Sequence, residues 1–218
     1  MMDCIILAGG KGLRMGVDIP KPLTPVLGKE LISYQIDYLK DKVRKIIVAL
    51  GHHADEVEEF IMDSYPELAI VCVKERELLG TAGAIRNCLP EVETERFLVV
   101  NGDDLCDIDI KFLEDNTKGD VICVHNPTSR FGIIQKNEDG SNALGRYSFI
   151  EKPMLKGLWT SCGWYVLSKE TAKFFPIRGS VEYNVFPRID FDVHKHLGEW
   201  YTFNSHKDVD DFEAKFRS

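Results

Sequence analysis

The chain has no excess of positive charge: 27 lysines and arginines face 35 aspartates and glutamates, a formal net charge of −8 over 218 residues. A protein that neutralises the phosphate backbone of a nucleic acid carries the opposite balance, so nucleic acid is not an expected partner. Long apolar runs are missing too. No stretch approaches the roughly 18 apolar residues of a membrane-spanning helix, and Asp3 with the glycines after Ala8 interrupts the N-terminal run that a signal peptide would need. The chain is therefore expected to be soluble and cytoplasmic, with no membrane partner. The six cysteines, Cys4, Cys72, Cys88, Cys106, Cys123 and Cys162, form no Cys-x-x-Cys pair, which removes the usual zinc and dithiol spacings. Cys4, Cys72 and Cys123 stand in apolar, strand-like runs and read as buried thiols. His52-His53 and the pair His194 and His196 lack accompanying ligands at metal-site spacing. With no internal repeat, low-complexity tract or Pro/Gly/Ser-rich linker, one domain with two lobes is expected.

What the chain does have is 44% hydrophobic residues in an alternating pattern. Strand-like runs at residues 4–8, 45–50, 68–73 and 97–100 alternate with helical patterns at 31–39, 55–64 and 81–88. Such alternation calls for a parallel sheet with crossover helices. Shorter strands are expected at 121–124, 132–135, 146–150 and 163–167, followed by a helix, a strand and a terminal helix from about Lys207. The strand at 97–100 ends in Asn101-Gly102-Asp103-Asp104, which puts polar groups where an open α/β sheet presents its carboxyl edge, the usual place for a ligand.

After the first strand comes Leu7-Ala8-Gly9-Gly10-Lys11-Gly12-Leu13-Arg14-Met15-Gly16. Its glycines let backbone N–H groups approach phosphate oxygens closely. The dinucleotide fingerprint fails at Met15, and a phosphate-loop ATPase would need Ser or Thr after Gly-Lys. Arg14 and Lys21, the latter within Pro20-Lys21-Pro22-Leu23, add two cations beside the N–H groups, a combination suited to a triphosphate.

These two segments resemble the signature of the sugar-1-phosphate nucleotidyltransferase family. Six further segments fall in family order: Leu79 to Ala84, Asn101-Gly102-Asp103, Phe131-Gly132-Ile133, Ile150-Glu151-Lys152-Pro153, Gly163-Trp164-Tyr165 and Val181-Glu182-Tyr183. The resemblance implies a Rossmann-like, three-layer α/β fold (GT-A-like) with a mixed, mostly parallel sheet. It implies a single domain over residues 1–218, with a nucleotide-binding half at 1–105 and a sugar-phosphate-binding half at 106–218. The implied reaction joins a nucleoside triphosphate to a sugar 1-phosphate and releases pyrophosphate, with Mg²⁺ as cofactor. The attacking oxygen belongs to a phosphate that is already anionic, so no nucleophilic side chain is required. Arg14, Lys21, Asp103 and Lys152 are implied as catalytic. Leu7, Ala8, Gly9, Gly10, Lys11, Gly12, Glu75, Gly80 and Thr81 would join Arg14 and Lys21 in binding the nucleotide. Asp104, Gly132, Glu151, Lys152, Gly163, Trp164 and Glu182 would bind the sugar phosphate.

Asp103 is expected as the first metal ligand. Family members usually place an aspartate two residues after a Trp-like position near the C-terminus, where this chain has Thr202 after Trp200. Asn204 is the expected second ligand, with Asp208 as a further candidate. Glu75 falls at the base-reading position, and a carboxylate accepts from the N1–H and exocyclic amine of guanine together, which favours GTP. The Leu79 to Ala84 form is similar to that of mannose and heptose 1-phosphate guanylyltransferases. A guanylyltransferase for a cobinamide or molybdopterin phosphate and a non-catalytic nucleotide-sugar-binding module are the alternatives, the second prompted by Thr202. Oligomeric state is open, a homo-oligomer included.

Overall fold

In the computed structural model the described residues are 1–10, 19–136 and 147–217. The elements run β1 (Asp3–Leu7), β2 (Pro25–Val26), β3 (Lys29–Glu30), α1 (Leu31–Leu39), β4 (Lys45–Leu50), α2 (Ala54–Ser64), β5 (Ile70–Lys74) and α3 (Gly80–Cys88). They continue as β6 (Arg96–Asn101), β7 (Asp104–Cys106), α4 (Ile110–Asn116), β8 (Val121–His125), β9 (Ile133–Lys136), β10 (Tyr147–Ile150) and β11 (Thr160–Ser168). The last are α5 (Val181–Asn184), β12 (Asp192–Lys195), β13 (Trp200–Thr202) and α6 (His206–Phe216). Among the described residues no helix is long and apolar enough to cross a membrane.

The central sheet has seven strands in the order β12-β8-β11-β6-β1-β4-β5. β11 runs antiparallel to both of its neighbours, while the β12·β8, β6·β1, β1·β4 and β4·β5 pairs are parallel. The sheet is thus mixed and mostly parallel, as the family resemblance implied. Because both faces are covered, the inner strands are continuously apolar rather than alternating. In β1, Cys4 and Ile6 pack with Ile32, Ile36, Val57 and Ile61 of α1 and α2. Ile5 turns to the other face, against Ala82, Ile85 and Val181 of α3 and α5. Each fully buried aliphatic side chain of this kind stabilises the fold by about 1.5–3 kcal/mol.

From β1 the chain crosses through α1 to β4 and through α2 to β5, then returns by α3 to β6 on the opposite side of β1. Neighbouring connections therefore leave the C-terminal ends of β1 and β6 in opposite directions, which opens a crevice there. Three two-stranded sheets complete the fold. One pairs β7 with β13 and sets Thr202 opposite Asp104. The β9–β10 hairpin exposes most of its residues, Phe149 among them.

Candidate active site

The crevice holds a pocket of about 230 Å³ lined by Leu7, Ala8, Gly9, Gly10, Lys21, Pro22, Glu75, Leu78, Gly80, Thr81, Ala84, Asn101, Gly102 and Asp103. Three loops meet tightly behind it. A Cβ on Gly51 would stand 2.5 Å from the Gly9 carbonyl oxygen, and one on Gly102 would stand 2.5 Å from that of Leu7. Only glycine lets the β4 and β6 ends close on the β1 loop. Gly51 was not among the expected residues, although its place just after a parallel strand, like that of Gly9, is a readable signal.

Lys21 projects from a 3-10 turn, Lys21–Leu23, whose flanking Pro20 and Pro22 fix the backbone; the Leu23 N–H donates to the Pro20 carbonyl at 2.8 Å. Its Nζ lies 2.5 Å from Asp103 Oδ2, with both side chains still partly exposed. Glu75 follows β5 and is half-buried. Its Oε2 accepts from the Leu79 N–H at 3.0 Å, while Oε1 lies on the Gly9 side of the pocket, 3.3 Å from where a Gly9 side chain would begin. Burial raises the Glu75 pKa above the ordinary glutamate value, partly offset by the Leu79 N–H. Beside Asp103, Asn101 spends its Nδ2 on Asp104 Oδ2 at 3.2 Å, and its buried Oδ1 has no hydrogen-bond partner among the described residues. A carboxylate next to an orphaned amide oxygen suits a hard cation such as Mg²⁺.

Of the expected nucleotide residues, the pocket gathers Leu7, Ala8, Gly9, Gly10, Lys21, Glu75, Gly80 and Thr81, and Asp103, the expected first metal ligand, lies beside them. Lys11, Gly12 and Arg14 lie outside the described residues. Sequence reasoning missed Leu78 and Ala84, apolar members of the wall whose residue types carry no chemical signal.

Two acceptor-side expectations are corrected. Asp104 is 5% exposed and turns inward, accepting from Trp200 Nε1 at 3.0 Å and from Asn101. Burial and the neighbouring Asp103 push its pKa up to about 7, against the hydrogen bonds from Trp200, Thr202 and Asn101. Its carboxylate is committed to protein partners and does not face the pocket. Trp164 is 1% exposed, packs edge-on against Tyr38 and directs its Nε1 toward the Asp104 carbonyl at 3.5 Å. It is a core residue, with no face left for a sugar ring.

The glycines beside these residues have internal reasons. At Gly163 (φ +78°) a side chain would collide with the Asp104 carboxylate, and at Gly132 with the Phe149 ring. Glu151 and Lys152 are exposed just beyond β10, Lys152 with a positive φ of 44°, and neither lines the pocket. Glu182 is exposed and accepts from Ser180 Oγ and, at 3.4 Å, from Thr81 Oγ1 on the pocket wall.

The three candidates for a second metal ligand separate clearly. Asp208 accepts the Asn204 and Ser205 N–H groups and the Ser205 hydroxyl through Oδ2, closing the capping box of α6. That carboxylate is a helix cap. Thr202 stands opposite Asp104 in the β7–β13 ladder. Asn204 donates Nδ2 to Thr202 Oγ1 at 3.0 Å, which leaves its amide oxygen outside that bond, and it does not line the pocket. Its backbone neighbour Phe203 donates to the Asp103 carbonyl at 2.9 Å, so the two segments are locked side by side.

Comparison with known proteins agrees with this geometry. The nucleotidyl transferase family model matches residues 3–183. The D-glycero-alpha-D-manno-heptose 1-phosphate guanylyltransferase of Campylobacter jejuni is 31% identical over 85% of this chain and 84% of that protein. A probable mannose-1-phosphate guanylyltransferase of Oryza sativa is also 31% identical, over 88% of this chain, which spans 57% of that longer protein. The crystal structure of HddC from Yersinia pseudotuberculosis complexed with GMP-PN superposes with a TM-score of 0.79 at 29% identity, covering 99% of this chain and 100% of that one. With pocket, sheet order and sequence in agreement, the chain belongs to the nucleotidyl transferase family, as one of its sugar-1-phosphate nucleotidyltransferases.

Proposed function

We propose that this enzyme transfers GMP from GTP to a heptose- or mannose-type sugar 1-phosphate in the cytoplasm, releasing pyrophosphate, with Mg²⁺ bound by Asp103 and Asn204. The observation that carries the choice of base is Glu75. Its Oε1 stands on the Gly9 side of the pocket, where it can accept the N1–H and exocyclic amine of guanine; adenine, cytosine, uracil and thymine offer no such adjacent pair. The Campylobacter and rice relatives, both guanylyltransferases by name, support the same base and a manno-configured sugar.

The reaction is an in-line attack of the sugar phosphate on the α-phosphorus of the nucleotide, so the protein has chiefly to place two anions and neutralise the charge that develops between them. In this reading Leu7, Ala8 and Gly9 carry the base and ribose, while Gly10, Lys11 and Gly12 serve the phosphates. Arg14 and Lys21 balance the triphosphate charge; Lys21 exchanges its partner Asp103 for a phosphate oxygen. Residues 1–105 supply these groups, and residues 106–218 supply Glu151 for sugar hydroxyls and Lys152 for the sugar phosphate, with Gly132, Gly163 and Glu182 shaping their surroundings. When bound, the metal ion polarises the α-phosphate and offsets its charge.

The test is pyrophosphate release from four nucleoside triphosphates, each combined with a panel of sugar 1-phosphates, on the wild-type enzyme and on Glu75→Gln. GTP with a heptose or mannose 1-phosphate is expected to be the fastest pair. Glu75→Gln keeps one acceptor and presents an amide N–H₂ to guanine, so its preference for GTP over ATP should fall about 10–100-fold. Fastest release with another nucleotide, or an unchanged preference in the variant, would overturn the assignment of the base. Release only with a non-sugar phosphate acceptor would overturn that of the sugar.

A further inference from the structure

We propose that Gly83 is a positioning residue for base recognition, acting through Leu79 on the Glu75 carboxylate; the inference rests on the reading of Glu75 as the residue that meets the base. Gly83 is buried near the start of α3 and does not line the pocket. Glycine weakens a helix relative to alanine, so its place there needs a packing reason. That reason has two sides. A Cβ at position 83 would stand 2.5 Å from the Ile177 carbonyl oxygen and 2.7 Å from Leu79 Cβ. Neither atom is the free end of a flexible side chain, so a methyl group here would move backbone on both sides.

Leu79 is held between Gly83 and a segment from the other half of the chain. Its N–H donates to Glu75 Oε2 at 3.0 Å, and its carbonyl accepts the Gly179 N–H at 2.8 Å. The Gly179 carbonyl in turn accepts the Ala82 N–H at 2.9 Å, and Thr81 Oγ1 accepts the Val181 N–H at 2.8 Å. Arg178 and Glu77, 2.7 Å apart, close the outer side. Residues 177–181 are thus laced to the start of α3, and the bare face of Gly83 is what lets them come so near.

The consequence for the base follows from how a carboxylate turns. The last torsion of a glutamate side chain is broad, so its direction is open unless one oxygen is held. The Leu79 N–H holds Oε2, and Oε1 is left on the Gly9 side of the pocket. Moving Leu79 keeps the charge of Glu75 in place and takes away its direction. Recognition of the paired donors of guanine depends on that direction, whereas the hold on a triphosphate does not. GTP therefore loses more than ATP when Gly83 gains a side chain.

The experiment measures GTP and ATP affinity by isothermal titration calorimetry, without metal or acceptor, for wild type, Gly83→Ala, Gly179→Ala, Glu75→Gln and the two double variants that combine Glu75→Gln with each glycine change. Gly179→Ala acts from the opposite side, because its side chain would meet the Asn184 amide and displace the donor to Leu79. Thermal unfolding confirms that each variant is folded. Gly83→Ala and Gly179→Ala are each expected to lower the preference for GTP over ATP about 5–10-fold. In the Glu75→Gln background either change should alter that preference by less than about 2-fold, since both act through the same carboxylate. A purely structural role would lower the unfolding midpoint and leave the preference alone. Wild-type preference in Gly83→Ala would overturn the proposal, and should that variant fail to fold, wild-type preference in Gly179→Ala would do so. An equal loss in the Glu75→Gln background would overturn it as well, by separating Gly83 from Glu75. A wild type without preference for GTP, or a Glu75→Gln variant that keeps it, would instead overturn the reading of the base beneath it.

Discussion

Strands β1 and β6 lie side by side in the same direction, and a buried aspartate stands at each end of the pair. At the N-terminal end Asp3 is fully buried, and its two oxygens accept Arg44 Nε at 2.7 Å, Arg44 Nη2 at 3.0 Å and the Glu93 N–H at 2.7 Å. Burial alone would raise its pKa, but Arg44 and the backbone donors of Glu93 and Thr94 outweigh that and hold it below the usual aspartate value. At the C-terminal end Asp104 is nearly as buried, yet its partners are Trp200, Asn101 and Thr202, and burial with the adjacent Asp103 pushes its pKa up to about 7. One cation, Lys21, is paired there, and with Asp103. The N-terminal end has its charge balanced within the protein. Among the described residues the C-terminal end gathers two neighbouring carboxylates, one of them paired with Lys21, beside an open pocket, and a carboxylate whose pKa is strongly shifted next to a cleft is the mark of a functional site.

This contrast is broken most strongly by removing one charge at each end. Asp103→Ala is expected to lower kcat/KM by about 10³-fold, since metal stabilisation of transition-state charge contributes several kcal/mol, while the midpoint of thermal unfolding stays near that of wild type. Steady-state kinetics and calorimetry on the same preparation check both halves. The mirror-image variant, Asp3→Asn, should leave kcat/KM nearly unchanged. Arg44 keeps Glu93 at 3.0 Å, and loss of the charge-assisted bonds on Asp3 should cost about 1.5–3 kcal/mol of stability, seen as a fall in Tm of about 3–12 °C. Loss of activity in Asp3→Asn at a temperature where it remains folded would erase the distinction between the ends.

The sheet and the lining of the pocket at the end of β1 were legible in the sequence because the signals are local. A central parallel strand buried on both faces reads as an unbroken run such as Cys4-Ile5-Ile6-Leu7, and the residues that follow it reach the carboxyl edge without further information. Pro20 and Pro22 likewise mark a fixed turn for Lys21. Asp104 and Trp164 were misread because their directions are set at long range. Asp104 faces inward because β13, almost a hundred residues later, presents Trp200 and Thr202 to it. Trp164 lies inside because β11 is sandwiched between β6 and β8. Sequence order carries neither register. The same register sets Thr202 opposite Asp104, a pairing that neither strand shows in sequence by itself.

The smallest effect expected is also the one that sharpens the comparison by sign. Asp3 has a native pKa below the ordinary aspartate value, so the unfolded state binds the proton first as the solution is acidified. Its contribution is fully present above that value and is lost as pH falls through the lower native pKa. Glu75, at the pocket, is shifted the other way: burial raises its native pKa above 4.5, so the native state holds the proton longer and its stability declines as pH rises through the native value. Urea midpoints measured from pH 3 to 7 should therefore rise along an acid limb set by Asp3 and decline above it, where Glu75 and, up to about pH 7, Asp104 both lose their protons. Asp3→Asn should flatten the acid limb below about pH 4, and Glu75→Gln should flatten the gentle decline above pH 4.5. If Glu75→Gln instead steepened that decline, the Glu75 carboxylate would have to be stabilised in its ionised form by the folded protein. The C-terminal end would then share the internal charge balance of the N-terminal end, and the pocket would have no unmet demand for the donors of a guanine base.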